Sequence, residues 1–175
     1  MSSADLADPG ARLLGMYDRA LPQVYGYLRA RVPGDALAED LTAETFLAAV
    51  RAVRGEPVPD LTIGWLVTVA RNKLVDHWRR SEREERGLRL AAGAHDDTDA
   101  DDAGEDERFE RMRAREVLAE LGAHHRAALT LRYLDGLPVA EVAEHLGRTL
   151  HATEALLVRA RRAFRARYVE GSCDD

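Results

Sequence analysis

The stretch "GLPVAEVAEHLGRTLHATEALLVRARRAFRARY", residues 136–168, decides what kind of fold this chain builds. Val139, Val142, Ala143 and Leu146 recur at helical spacing and give a short helix one apolar face. Gly147 ends that helix, and Thr149 can cap the next. In the second helix Leu150, Thr153, Leu157, Ala160, Phe164 and Tyr168 line up as a buried stripe. Ala143, with a glycine four positions later, is the kind of small residue that two closely crossing helices require. The pattern is that of a helix-turn-helix, whose second helix suits the major groove of DNA. On its outer face His151, Glu154, Ala155 and Val158 can read base edges, while Arg159, Arg161, Arg162 and Arg165 can anchor phosphates. The plainer alternative is a helical hairpin with a solvated, arginine-rich end.

Working back towards the N-terminus, "HHRAALTLRYL" forms a short helix that stops at Asp135-Gly136, and a helix starting near Arg108 carries Val117, Leu118 and Leu121 up to Gly122. Before it, "AAGAHDDTDADDAGEDE", residues 91–107, has no large apolar side chain with which to offset the entropy of ordering. It reads as a flexible acidic linker, expected to span residues 90–107, between domains at 11–89 and 108–168. The fold expected is therefore all-α, as two small helical domains.

The first domain is also punctuated as helices. Pro22 suits a helix's first turn, with Val24, Leu28 and Val32 following, and Pro33-Gly34 breaks it. Asp35 can cap a second helix in which Leu37, Leu41, Ala48 and Phe46 or Val50 make the apolar contacts. "RGEPVPDLTIG", residues 54–64, has two prolines and two glycines and reads as a loop. In "WLVTVARNKLVDHWRR", residues 65–80, Val67, Ala70, Leu74 and Trp78, with Ile63 a turn earlier, form the inward stripe. Asn72, Lys73, Asp76, His77, Arg79 and Arg80 fall largely on the other side. There they either stay solvated or meet phosphates and bases.

Charge is distributed in blocks. The formal net charge is −6, yet residues 1–89 hold 13 basic and 13 acidic side chains, residues 90–107 hold eight acids and no base, and residues 108–168 hold 12 bases against seven acids. The C-terminal domain is basic once the linker is set aside. The single cysteine, Cys173, rules out an intrachain disulfide and a thiolate metal cluster. The six histidines are scattered, and the adjacent His124 and His125 cannot both face one metal on a regular helix. No signal peptide or apolar run of about 20 residues is present. Nor is there a Walker loop, a nucleophile elbow or a catalytic carboxylate pair. The expectation is a cytoplasmic protein that is not an enzyme, with no metal, no cofactor and no membrane insertion.

Four segments in order, "YDRALPQVYGYLRARV", "AEDLTAETFLAAV", "WLVTVARNKLVDHWRR" and "LRYLDGLPVAEVAEHLG" followed by "VRARRAFR", resemble the extracytoplasmic-function sigma factors of the bacterial sigma-70 family. The resemblance covers about residues 11–89 and 108–168. It implies binding to core RNA polymerase, through the beta-prime clamp helices and the beta flap, and promoter-specific initiation under the control of an anti-sigma factor. It implies core-binding roles for Asp40, Glu44, Thr45 and Phe46. Contacts to the minus-ten element would fall to Arg71, Asn72, Lys73, His77, Arg79 and Arg80. Contacts to the minus-thirty-five element would fall to His151, Thr153, Glu154, Ala155, Val158, Arg159 and Arg162. Two departures stand out: "HATEA", residues 151–155, differs from the Gly-Thr-Val-Lys-Ser type common in relatives, and "EPVPDLTIG", residues 56–64, lacks an aromatic often found before the tryptophan. A stand-alone dimeric helix-turn-helix regulator is the alternative from another class, and a helical protein-binding adaptor is the third.

Overall fold

The computed structural model describes residues 8–92 and 107–170, and among them it is all-helical with no strand. The expected acidic linker lies almost entirely outside the described residues. Seven α-helices run in the order α1 (Pro9–Arg29), α2 (Asp35–Val53), α3 (Ile63–Ala92), α4 (Glu107–Glu120), α5 (Ala123–Leu129), α6 (Val139–Leu146) and α7 (Leu150–Glu170). One turn of wide, π-type helix, Thr130–Leu134, follows α5. None of the described helices is long and apolar enough to cross a membrane. The chain divides into two compact units, one reaching to Leu74 and the other starting at Val75, so the division falls inside α3.

In the first unit α1 begins much earlier than its proline suggested. Asp8 caps it, its carboxylate accepting from the Ala11 N–H at 3.0 Å, with Pro9 in the first turn; Pro22 lies exposed inside the helix. A proline whose ring faces solvent can be carried within a helix when packing on the other side holds the turns around it. Here Leu13, Met16, Ala20, Val24 and Leu28 form the buried stripe, at the three- and four-residue spacing that keeps one face inward. Burial of each large apolar side chain contributes roughly 1.5–3 kcal/mol.

The α2 helix packs against α1 through a stripe that shares only Leu41 with the expected one. Ala38, Leu41, Thr42, Thr45 and Ala49 are buried, while Leu37, Phe46, Ala48 and Val50 are only half-buried. Small residues bring the two helices close, and the two threonines satisfy their hydroxyls within the helix, each donating to a carbonyl one turn back at 2.7 Å. Asp35 does not cap α2. Gly34 takes that position, and Asp35 instead pairs with Arg29 and accepts from the Tyr25 hydroxyl. Desolvation, and after it the Asp35 charge, raise the Tyr25 phenol above its usual range.

In α3 the buried positions are Leu66, Ala70, Leu74, Val75 and Trp78. Val67 and Ile63, expected to lead the stripe, are half-buried, and Leu66 takes their place. Thr62 starts the helix by accepting from the Trp65 N–H at 3.0 Å.

The second unit is centred on α7, which packs against α4, α5 and α6. Leu121, Leu129 and Ala160 form one apolar cluster with Leu118, Ala163 and Phe164 around it. Ala128, Leu156 and Leu157 form another, flanked by Val139 and Leu146. Leu156 was absent from the expected stripe, and Leu150, which headed it, is 51% exposed. Arg126 fastens the end of α4 by donating to the carbonyls of Leu118 and Leu121, both at 2.9 Å. Burial lowers its pKa and Glu85 opposes that shift, yet a guanidinium remains charged at neutral pH.

Trp78 is 2% exposed, and its indole N–H has no partner among the described residues. Trp78→Ala should therefore destabilise the chain by about 3–5 kcal/mol. Trp78→Phe, which removes no satisfied hydrogen bond, should cost under about 1.5 kcal/mol. Urea denaturation followed by circular dichroism measures both.

Candidate nucleic-acid interface

The turn between α6 and α7 is built as the sequence suggested. Gly147 has φ +62° and closes α6 in the left-handed conformation, with the Arg148 N–H donating to the Ala143 carbonyl at 2.9 Å. Ala143 is buried beside Val142, and Thr149 caps α7 by accepting from the Ala152 N–H at 3.2 Å. This fixes the direction in which α7 leaves the turn.

Along α7, after Leu150, the exposed residues are His151, Glu154, Ala155, Val158, Arg159, Arg161, Arg162 and Arg165. They sit opposite Thr153, Leu156, Leu157 and Ala160, which are all buried. Thr153 is a correction to the expected reading set. It is fully buried and its hydroxyl donates to the Thr149 carbonyl at 3.0 Å, so it holds the helix start and does not face outward. Arg161 reaches sideways to the Tyr133 hydroxyl at 3.3 Å. The face combines four arginines with a short polar group near the N-terminal end, an arrangement able to hold a polyanion and contact what lies between its charges.

On α3 the outward residues are Asn72, Asp76 and Arg80, with Arg71, Lys73, His77 and Arg79 half-buried. Lys73 lies 4.0 Å from the Glu44 carboxylate, which ties two expected sites together in the first unit. Both partners are partly solvated, so the pair adds at most about 1 kcal/mol. Arg79 donates to the carbonyls of His145 and Glu144 at the end of α6.

Of the residues expected on the α2 face, Asp40 is exposed and Glu44 half-buried. Thr45 is a second correction: it is fully buried and bonded to the Leu41 carbonyl. Phe46 is half-buried against Tyr17, ring centroids 4.8 Å apart. Sequence reasoning missed two exposed apolar side chains of the first unit, Leu14 and Leu47, which are 76% and 55% exposed. It also missed Glu82, Glu85 and Arg148, which join distant parts of the second unit. Glu82 pairs with Arg148, and Glu85 accepts from the Ala123 N–H at 3.3 Å. Among the described residues, no three His, Cys, Asp or Glu side chains gather as metal ligands.

Comparison with known proteins gives two family matches: residues 16–84 fit sigma-70 region 2, and residues 111–164 fit sigma-70 region 4. The chain is 36% identical over 166 residues to the ECF RNA polymerase sigma factor BldN of Streptomyces coelicolor; the match covers 91% of this chain but 60% of that protein. It is 31% identical over 170 residues to the ECF RNA polymerase sigma factor SigL of Mycobacterium tuberculosis, covering 93% of this chain and 92% of SigL. Among solved structures it resembles the sigma factor RpoE from the complex with the anti-sigma factor NepR of Bartonella quintana, with a TM-score of 0.54 at 19% identity, covering 92% and 97% of the two chains. That likeness bears on fold alone.

The turn supplies a test of its own geometry. Gly147→Ala puts a side chain in the left-handed region and sets its Cβ 3.1 Å from the Arg79 guanidinium. It should cost about 1–2 kcal/mol, and Gly147→Asn less, since asparagine tolerates that conformation. Thermal denaturation of the full chain checks the ranking.

Proposed function

The chain belongs to the extracytoplasmic-function group of the sigma-70 family, and from that premise we propose that it binds core RNA polymerase and directs it to a class of promoters. The observation that carries this is the presence of both regions in one chain, in order, each with a polar, cation-bearing helix backed by a buried apolar stripe.

The roles follow from chemistry at each face. Asp40 and Glu44 are four apart on α2 and can meet basic groups of the beta-prime clamp helices. Phe46, with the neighbouring exposed Leu47, adds apolar contact; Thr45 serves packing. Asn72 on α3 can hydrogen-bond an unstacked base of the minus-ten element, with Arg71, Lys73, His77, Arg79 and Arg80 along the strand's phosphates. His151, Glu154, Ala155 and Val158 read the minus-thirty-five element, and Arg159 and Arg162 fix the register.

In this proposal region 2 occupies residues 11–89 and region 4 residues 108–168, joined by residues 90–107 and also contacting the beta flap. Each binds DNA weakly alone. Polymerase sets their separation, so that engaging one element raises the effective concentration of the other. Strand opening then draws on binding free energy, with no reaction catalysed by this chain. The proposed setting is the cytoplasm, with an anti-sigma factor covering the core-binding surfaces until the protein is needed.

Run-off transcription with purified core polymerase on a genomic promoter library should give discrete start sites only when this chain is added. Asn72→Ala and Arg162→Ala, each at an outward position, should each lower the yield by at least about tenfold, the effect of losing about 1.4 kcal/mol of promoter contact. Unchanged transcription in both variants, or start sites independent of the chain, would contradict the reading. A stand-alone dimeric regulator would instead sediment as a dimer and bind a palindrome without polymerase.

A further inference from the structure

From Leu150 to Val158 the start of α7 holds no arginine or lysine; Glu154 is the one acid, and the cations begin at Arg159. His151, Glu154, Ala155 and Val158 are all exposed there. The commonest specific contact in the major groove is an arginine or lysine on the O6 and N7 acceptors of guanine. This end of the helix is not built for it. Glu154 and Ala155 lie four and three positions before Val158, so both neighbour it on the outer side of the helix. Along the axis the patch spans about 6 Å, less than two base steps of about 3.4 Å each.

The three side chains offer two opposite chemistries. Val158 is 48% exposed, although valine is neither a strong helix former nor favourably hydrated. Ala155 beside it is short enough to let the helix approach a base edge. Together they give an apolar seat to the one apolar group of the major groove, the 5-methyl of thymine. Glu154, when ionised, can only accept hydrogen bonds. It matches the N4 amino donor of cytosine, whereas guanine's O6 and N7 would meet it acceptor to acceptor. Adenine, whose N6 donor is flanked by the N7 acceptor, falls between the two. A carboxylate here also weakens attraction to any phosphate backbone, so it trades general affinity for discrimination.

We propose that the first turns of α7 read a cytosine, held by Glu154, next to a thymine whose methyl packs on Ala155 and Val158, and that Glu154 excludes guanine from the cytosine position. This rests on the sigma-factor reading, and names the bases that its minus-thirty-five surface takes.

The test is run-off transcription with core polymerase and the full chain on templates randomised over the minus-thirty-five element, each barcoded downstream of the start site so that transcripts report their promoter. The intact chain should enrich a neighbouring cytosine and thymine, and deplete guanine at the cytosine position by at least about fivefold. Glu154→Gln should move that preference to adenine, whose N6 and N7 a glutamine amide can pair, and leave the thymine preference in place. Uracil in place of the thymine should lower the yield about three- to fourfold with the intact chain, the worth of one buried methyl, and hardly at all with Val158→Ala. Guanine tolerated at the cytosine position, a Glu154→Gln chain with unchanged preferences, or a yield indifferent to uracil would overturn the proposal. Templates that give no chain-dependent transcript would sink the sigma-factor reading instead. Selection of the same randomised duplexes by the free chain at low ionic strength then decides the proposal: recovery of the cytosine and thymine supports it, and unselected sequences overturn it.

Discussion

A helix that presents charge to a polyanion has to be held from behind, and that requirement organises both halves of this chain. Cations on mobile side chains bind phosphates anywhere; cations on a helix fixed by a buried stripe bind them at set positions. On α3 the fixing comes from Leu66, Ala70, Leu74 and Trp78, and on α7 from Thr153, Leu156, Leu157 and Ala160. Trp78 is the bulkiest of these and is 2% exposed.

The polar side chains do two kinds of work that composition alone would blur together. Some close the architecture: Asp8, Thr62 and Thr149 start helices, Arg126 finishes α4, and Thr45 and Thr153 bond back into their own helices. Others stay at the surface, as do Asn72, Arg80, His151, Glu154 and Arg162. The net charge of −6 does not oppose a DNA-binding role, because acids and bases are segregated in blocks along the sequence.

What was legible in the sequence was local. Gly147 and Thr149 announce the turn because only a few residue types suit a left-handed closure and a helix cap, and they fall where the turn is. Stripes were legible to within one position: Leu66 and Val67 are adjacent, and which one turns inward depends on neighbours that periodicity does not see. Pro22 misled because a proline marks a helix start only when nothing upstream extends it, and Asp8-Pro9 does. Thr45 and Thr153 misled in another way, since a hydroxyl that bonds its own backbone buries as easily as an apolar group. The pairings of Glu82 with Arg148 and of Arg79 with His145 span 66 residues and leave no local trace. The candidate faces were thus visible, and the long-range pairings near them were not.

In the function proposed for the chain these faces are parts of a larger assembly, in which neither is asked to bind strongly by itself. Its most direct test is equilibrium titration of fluorescently labelled bacterial core polymerase with the purified chain, in the absence of DNA. The account predicts a saturable one-to-one complex weakened by charge reversal at Asp40 and Glu44. A core enzyme that shows no saturable binding, while the folded chain binds DNA tightly as a dimer, would contradict it.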